Sequence, residues 1–414
     1  MIRVLELFAG IGACSKALTN LGIAHEIVDA VEIDKYAIKS FNAVHGTNFE
    51  PQDITKWDKD IKVDLIMHGS PCQDFSIAGK QAGGDKDSGT RSSLMYETLR
   101  IVDKLQPKYV IWENVKNLVS KKHVHNYLAY IKSMNELGYK SYGRVLNAKD
   151  YGIPQNRERV FTVSFRERER EYEWPKPMPL ERKLGDMLEK NVEEKYYLTE
   201  KQLACYMMDG TGKYPRRERF LQNMNRKNQQ IGNSITTRAG SRPTDNYVKE
   251  PFIVASRGRN PENPSDRTTG APTQQRLEPK FDGTTNTLTT VQKDNYVAIK
   301  TANSKGYDLA EDGDGIDLGY PDSTTRRGRV GHGVSKTITT SDGQGTLDGI
   351  RIRKLTPKEC WRLMGFDDTD FEKAEKVNSN CQLYKQAGNS IVVAVLTAIL
   401  KNLLKEEVCK TRKS

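Results

Sequence analysis

The chain has 414 residues with 65 Lys and Arg against 54 Asp and Glu, a net charge of +11. That length supports two or three domains around a large core, and that charge favours a polyanionic partner. The longest apolar run, 391–400, is interrupted by Thr397, and the opening MIRVLELF carries Glu6 into a glycine turn; with roughly 18 apolar residues needed to span a bilayer and no cleavage site in view, no membrane role is expected and the protein should be soluble and cytoplasmic.

From residue 2 to about 165, short apolar runs alternate with amphipathic stretches, the pattern of βα units in a parallel sheet. Strands are predicted at 4–8, 26–33, 63–67, 110–112 and 160–165. Helical stripes run through Ala13, Ala17 and Leu21 to Gly22, through Leu94, Ile101 and Leu105 to Pro107, and through Leu128, Ile131, Met134 and Leu137 to Gly138. After Phe165 the charged RERERE, then Trp174, Pro175, Pro177 and Pro179, read as a connection leaving a packed domain, with a helix expected near 180–208.

Residues 209–349 hold 17 of the 32 glycines and many Thr, Asn and Arg, which predicts a loop-rich β region. NSITT at 233, NTLTT at 286 and KTITT at 336 repeat, with DNYV after the first two, which suggests repeated β-hairpin units; a functional module and a structural repeat both fit. Farther on, Thr356-Pro-Lys-Glu359 is a capping box with proline at the first helical position. Asn389 or Ser390 is expected to cap a last, nearly all-apolar helix buried against the first domain. The domains are therefore drawn as 1–198 with 384–414, and 199–383 with an enlarged variable region at about 209–349.

The six cysteines form no CxxC pair, so neither a zinc site nor a disulfide framework is expected. The scattered histidines, His123 and His125 included, read as surface residues, and no metal is expected.

The first strand ends in Phe8-Ala-Gly10-Ile11-Gly12, a tight turn at the carboxyl edge of a sheet, where ligands bind. Alone it fits any dinucleotide or nucleoside cofactor, or a plain glycine turn. Glu32 follows the second strand, where an acid accepts from ribose hydroxyls or is simply solvated. The string Gly69-Ser-Pro71-Cys72-Gln73-Asp-Phe-Ser76 follows the third strand, so Cys72 stands at the same edge, placed as a nucleophile. A lone cysteine is more often a bystander. Its company changes this: Glu113-Asn114-Val115 ends another strand, and Gln155-Asn-Arg157-Glu-Arg159 precedes one more.

With these motifs the chain resembles the cytosine-C5 DNA methyltransferases, site-specific enzymes of bacterial or phage type. FAGIG, VEID, QDI, GSPCQDFSIAGKQ, ENV, QNRERVF, LTPKECWRLMGF and QAGNSIVVAV stand in the family's order over about 2–200 and 350–404. The resemblance implies a Rossmann-like S-adenosylmethionine domain in an α/β fold, plus a smaller loop-rich β domain that reads the target. It implies Cys72 as nucleophile on C6 of cytosine, Glu113 as proton donor to N3, Arg159 on O2, and Arg157 supporting Glu113 or the cysteine loop.

For the cofactor it implies Phe8, Gly10, Ile11, Gly12, Glu32, Ile33, Asp53, Ile54, Leu94, Asn389 and Ser390; for the substrate, Gln73, Ser76, Arg91, Asn114 and Gln155. Where many relatives have a further glycine, Ala13-Cys14 follows FAGIG here. The target cytosine must be flipped out of the duplex, and the stretch from Gln73 to Arg91, with Gly79, Gly83, Gly84 and Gly89, reads as a loop closing over it. Arg238, Arg242, Arg257, Arg259, Arg326 and Arg327 are candidate guanine or phosphate contacts. The partner is double-stranded DNA, the protein is expected to be monomeric and nucleoid-associated through DNA, and a cognate restriction endonuclease would fit. A tRNA cytosine methyltransferase and a catalytically silent DNA-binding protein are the alternatives; a dehydrogenase would leave GSPCQ and QNRER unexplained.

Overall fold

The computed structural model describes residues 1–71, 94–167, 169–197, 253–259, 274–279, 295–304, 306–320, 323, 325–340, 343–348 and 351–405. The first unit opens with β1 (Ile2–Leu7), α1 (Ala13–Asn20), β2 (His25–Val31), α2 (Lys35–His45), β3 (Leu65–His68), α3 (Met95–Leu105), β4 (Tyr109–Val115), α4 (Val124–Glu136), β5 (Lys140–Asn147) and β6 (Glu158–Phe165). They form one six-stranded sheet in the order β2-β1-β3-β4-β6-β5. Strands β1 to β4 pair in parallel, whereas β6 runs antiparallel to both β4 and β5. The five predicted strands and three helical stripes are all present. Helix α2, whose Ala37, Phe41 and Val44 recur at helical spacing between an Asp34 cap and Gly46, and strand β5 are additional to the predicted elements. The latter is a half-exposed edge strand, KSYGRVLN, without apolar alternation.

The two faces of the sheet follow the two-residue period of its strands. Leu5, Leu7, Ile66, Val110 and Trp112 share a core with Met95, Leu99, Ile101 and Val102 of α3 and Tyr130 and Met134 of α4. On the opposite face the register sets Glu6 beside Met67 and Met67 beside Ile111, with Glu113 two residues beyond. Both carboxylates thus sit on one face, toward the carboxyl edge.

Glu6 is buried there and accepts from the amide (2.9 Å) and hydroxyl (2.5 Å) of Ser15, anchoring the start of α1. His45 supports the glycine turn from behind: its Nε2 lies 3.1 Å from the Ile11 carbonyl, and a side chain at Gly12 would collide with its ring. His68 and His123 are buried and His45 is partly buried, which corrects the surface reading; aromatic packing and internal polar partners take them in, as His68 stacks on Trp112 (8° between planes) and meets the Tyr130 hydroxyl at 2.9 Å.

The chain returns to this unit as residues 337–341 and 357–414. The second return carries α5 (Pro357–Leu363), α6 (Asp368–Glu375), α7 (Asn380–Asn389) and α8 (Val393–Leu403). Contacts divide the chain at 183/184, 336/337, 341/342 and 356/357, so the expected boundary at 383 falls too late. The reason is packing: α6 lies on α2, and buried Lys16 of α1 pairs with Asp367 (2.5 Å) and buried Asp370 (2.8 Å).

Apolar α8 is buried against α1, as expected. Its cap is not Asn389 or Ser390, because the Ser390 amide donates back to Gln386 (3.0 Å) and so closes α7; Val392 precedes α8 without a side-chain cap. Read as one stretch, Asn380–Leu403 is long and apolar enough to cross a membrane. Residues 390–392 break it into two helices, and Val393, Leu396, Ile399 and Leu403 are core residues. The segment after β6 also stays with the domain, since Tyr172 is buried with its hydroxyl donating to Ile399.

The second unit comprises residues 184–336 and 342–356. Its described strands are β7 (Ile253–Arg259), β8 (Gln274–Pro279), β9 (Asn295–Lys300), β10 (Tyr307–Ala310), β11 (Gly315–Asp317), β12 (Val330–Gly331), β13 (Gln344–Asp348) and β14 (Arg351–Lys354). They form two antiparallel four-stranded sheets, β10-β9-β7-β8 and β12-β11-β13-β14. Val297, Ile299, Ile316, Leu318 and Leu347 make its core. In place of the helix expected near 180–208, the described part holds two 3-10 turns, Leu184–Met187 and Glu194–Tyr196. The first two Thr-rich repeats lie outside the described residues; the third, 336–340, is not a strand, and all of it but Lys336 belongs to the first unit.

Burial pushes the Glu6 carboxyl up to about 7 despite its Ser15 bonds. The native state therefore holds a proton that the unfolded chain has already released, and stability falls as pH rises from about 4.5 to about 7. Glu6→Gln should remove up to about 3 kcal/mol of that fall, measured as the difference between wild-type and variant urea unfolding across the window. Lys16→Met leaves Asp370 buried without its cation and should cost about 3 kcal/mol in the same assay at pH 7.

Candidate active site

In the strand order β2-β1-β3 the chain turns opposite ways on leaving β1 and β2, so the switch point lies between β1 and β3, where open α/β sheets bind ligands. A recess opens there, lined by Glu6, Phe8, Gly10, Ala13, Cys14, Gly69, Glu113, Asn389 and Ser390. Phe8, Gly10 and Gly12 all have positive φ (53°, 56° and 80°). The two glycines take this region at little cost, whereas Phe8 is strained. Space where a Gly10 side chain would stand is free for 4 Å. Ala13 and Cys14, the departure after FAGIG, are buried within the start of α1.

Of the expected cofactor residues, Glu32 reaches this turn: its carboxylate accepts from Gly10 N (3.0 Å) and Asp34 N (2.8 Å), and burial raises its pKa. Ile33 next to it is exposed, and Asp53 caps the 3-10 turn Ile54–Lys56 by accepting from Thr55. Ile54 is buried, as is Ile11, whose backbone carbonyl rather than its side chain serves the turn, and Leu94 precedes α3. An open glycine turn, a carboxylate beside it and the Asn389-Ser390 segment across from it fit a nucleoside carrying an amino-acid chain.

Glu113 and Arg159 come together. In the β4/β6 register Arg159 faces Val115, so Glu113, two residues away on the same face, is its diagonal neighbour. Arg159 Nε lies 3.1 Å from Glu113 Oε1. Burial raises the Glu113 pKa, and Arg159 followed by Arg157 opposes the rise without cancelling it. The result is a carboxyl group inclined to hold a proton, beside a fixed cation. Gly69, three residues before Cys72, packs against Glu113: a side chain there would sit 3.6 Å from Oε2.

Ser70 was missed in the sequence. Trp112 Nε1 donates to its hydroxyl (3.0 Å) and Asn114 Nδ2 to its carbonyl (3.2 Å), so two adjacent side-chain groups of β4 fix the approach to Cys72. An indole facing a serine just before the cysteine carries no periodic signal; only the register reveals the pair. Asn114 is thus a buried strut, not a substrate contact. Cys72, Gln73, Ser76 and Arg91 lie outside the described residues.

Gln155 is likewise corrected: it is 0% exposed, donates to Leu363 O (2.8 Å) and accepts from Ile338 N (3.0 Å), leaving no surface for a base. Arg157, 4% exposed, donates to the carbonyls of Ile338 (2.9 Å), Gly388 (3.0 Å) and Ser390 (2.8 Å). These two residues clamp 337–341 and the end of α7. Gly388 completes the clamp, since a side chain there would overlap the Thr339 carbonyl at 2.3 Å. Of the arginines expected to contact DNA, Arg326 is engaged by Asp317 (2.7 Å) while Arg327 is exposed; Arg257 and Arg259 lie on β7, and Arg238 and Arg242 are outside the described residues.

Comparison with known proteins agrees with this geometry. Residues 2–405 match the family model of the C-5 cytosine-specific DNA methylases. The chain is 30% identical to the orphan methyltransferase M.SPRI of Bacillus phage SPR, over 97% of each chain, and 31% identical to M.SPBetaI of Bacillus phage SPbeta, over 99% of each. Among solved structures it shares the fold of a Spodoptera frugiperda DNMT2 variant (TM-score 0.54, 20% identity, 97% of this chain and 99% of that one) and of the Entamoeba histolytica methyltransferase EhMeth (0.54, 13%, 98% of each). With that family model matched along nearly its whole length, the chain belongs to the C-5 cytosine-specific DNA methylase family.

Proposed function

We propose that the protein methylates C5 of a cytosine flipped out of double-stranded DNA through a transient covalent bond between Cys72 and C6. The observation that carries this reading is the buried Glu113, paired with Arg159 and packed against Gly69 at the start of the cysteine loop. C5 of cytosine is a poor nucleophile. Addition of the Cys72 thiolate to C6, with Glu113 giving a proton to N3 and Arg159 holding O2, turns the ring into an enamine whose electrons reach C5. Loss of the C5 proton and expulsion of the thiolate then restore the aromatic ring. Such attack comes from above the ring face, which stacking blocks inside a duplex, hence the flip.

S-adenosylmethionine, when bound, supplies the electrophilic methyl group. Phe8, Gly10, Gly12 and Glu32 would hold it at the turn, with Ile33, Asp53, Ile54 and Leu94 toward the base and Asn389 and Ser390 across the recess. Ser70, Trp112 and Asn114 orient the cysteine loop, and Arg157 and Gln155 hold the returning segments. On this reading the protein acts as a monomer on cytoplasmic DNA, and the second unit reads the sequence.

Cys72→Ala should lower methyl transfer at least about 10³-fold while calorimetry shows unchanged cofactor binding. With S-adenosylmethionine present, a duplex carrying 5-fluorocytosine has no C5 proton to lose once C5 is methylated, so the wild-type protein should stay attached to it through the peptide containing Cys72; absence of that adduct would sink the assignment. Trp112→Phe removes the bond to the Ser70 hydroxyl and should lower kcat about tenfold, the effect of one lost buried hydrogen bond, with cofactor affinity unmoved. A kcat equal to wild type would free Trp112 of any part in positioning the loop.

A further inference from the structure

The second unit presents an aromatic ring to solvent on a tightly bonded backbone. Tyr320 is 71% exposed and has φ 51°, in the left-handed region that a bulky side chain avoids. Its carbonyl accepts from the Ser323 amide (3.0 Å) and from Nη2 of Arg329 (2.6 Å). Arg329 is 1% exposed, and its Nη1 donates to the carbonyls of Asp317 (3.0 Å) and Gly319 (2.9 Å). One buried guanidinium thus fixes three carbonyls within the four residues that end at the ring.

A second guanidinium lies over the ring. The Arg326 group is 5.3 Å from the Tyr320 centroid, within cation–π range. It is held from behind by Asp317, 7% exposed, which accepts from Nε and Nη2 at 2.7 Å each. Gly319 leaves room for this pair: a side chain there would stand 3.4 Å from Arg326 Nη2. Arg327 beside it is exposed. Strain retained in a non-glycine residue, with its neighbours committed to maintaining it, marks a place where the side chain is needed.

The geometry points to the Tyr320 ring and Arg326 guanidinium as a preformed platform for a base unstacked at an opened step of the duplex, with Arg327 taking an adjoining phosphate. This rests on the reading that duplex DNA is the substrate. A flat ring fixed in place loses little freedom on stacking, and such contacts accept any base while charge holds the backbone.

The test uses the full-length protein and plasmid DNA mapped by bisulfite sequencing, from which a methylated site is taken as a duplex oligonucleotide. Tyr320→Gly relieves the left-handed backbone while deleting the ring. Its melting temperature should equal or exceed that of wild type, its Kd for the duplex should rise about tenfold, and its affinity for S-adenosylmethionine should not change. Tyr320→Phe, which keeps the stacking face, should bind within about twofold of wild type. Unaltered duplex affinity of the glycine variant would overturn the platform and leave the methyl-transfer reading standing. A glycine variant that melts well below wild type would make the ring a folding element and overturn it equally. A wild-type protein that places no methyl groups on DNA would overturn both.

Discussion

The pairing of Glu113 with Arg159 depends on strand direction. Were β6 parallel to β4, its first residues would lie at the opposite edge of the sheet, far from where β4 ends. Because β6 runs the other way, its opening residue pair sits at the carboxyl edge and delivers an arginine to the glutamate that closes β4. The reversal is made through β5, a polar edge strand whose main contribution is to turn the chain round. A buried carboxyl beside a fixed cation is thus a consequence of topology before it is one of residue choice, and its raised pKa follows from burial, opposed by Arg159 and then Arg157.

The remaining site residues work at one remove. Ser70 is held by Trp112 and Asn114; the glycine turn is held by Glu32 in front, His45 behind and Glu6 beneath. Arg157 and Gln155 spend their polar groups on carbonyls and amides of segments that are distant in sequence. Orientation by groups that are themselves packed and bonded keeps the reacting atoms from drifting, and small displacements are costly in this kind of chemistry.

Much of this was legible in the sequence. Alternating apolar runs announced the sheet, and GSPC, ENV and QNRER announced the edge on which chemistry would occur. Glu113 and Arg159 were identified because motif order carries them together. What could not be read was any pairing that crosses the chain. Asn114 and Gln155 looked like contacts for a base because polar residues in a motif invite that reading, and Arg157 like a support for Glu113 or the cysteine loop, yet the polar groups of all three are taken up internally. Trp112 looked like core and is both core and donor. Asn389 and Ser390 looked like a helix start, since Ser and Asn favour that position, but the preceding helix claims them through its own backbone ladder. The domain boundary failed for the same reason: α6 carries many charges, and only its ion pairs with Lys16 show where it belongs.

The small inserted piece 337–341 has a further bearing on how such proteins diversify. The chain passes from one unit to the other four times, and this five-residue return stays tied to Gln155, Arg157 and Gly388. The β-rich unit is therefore not a single removable cassette. A recombination event that imported a foreign version of it would have to carry in a matching threonine-rich stitch, or keep the resident one. Sequence drift within that stitch is accordingly constrained from outside the unit it interrupts.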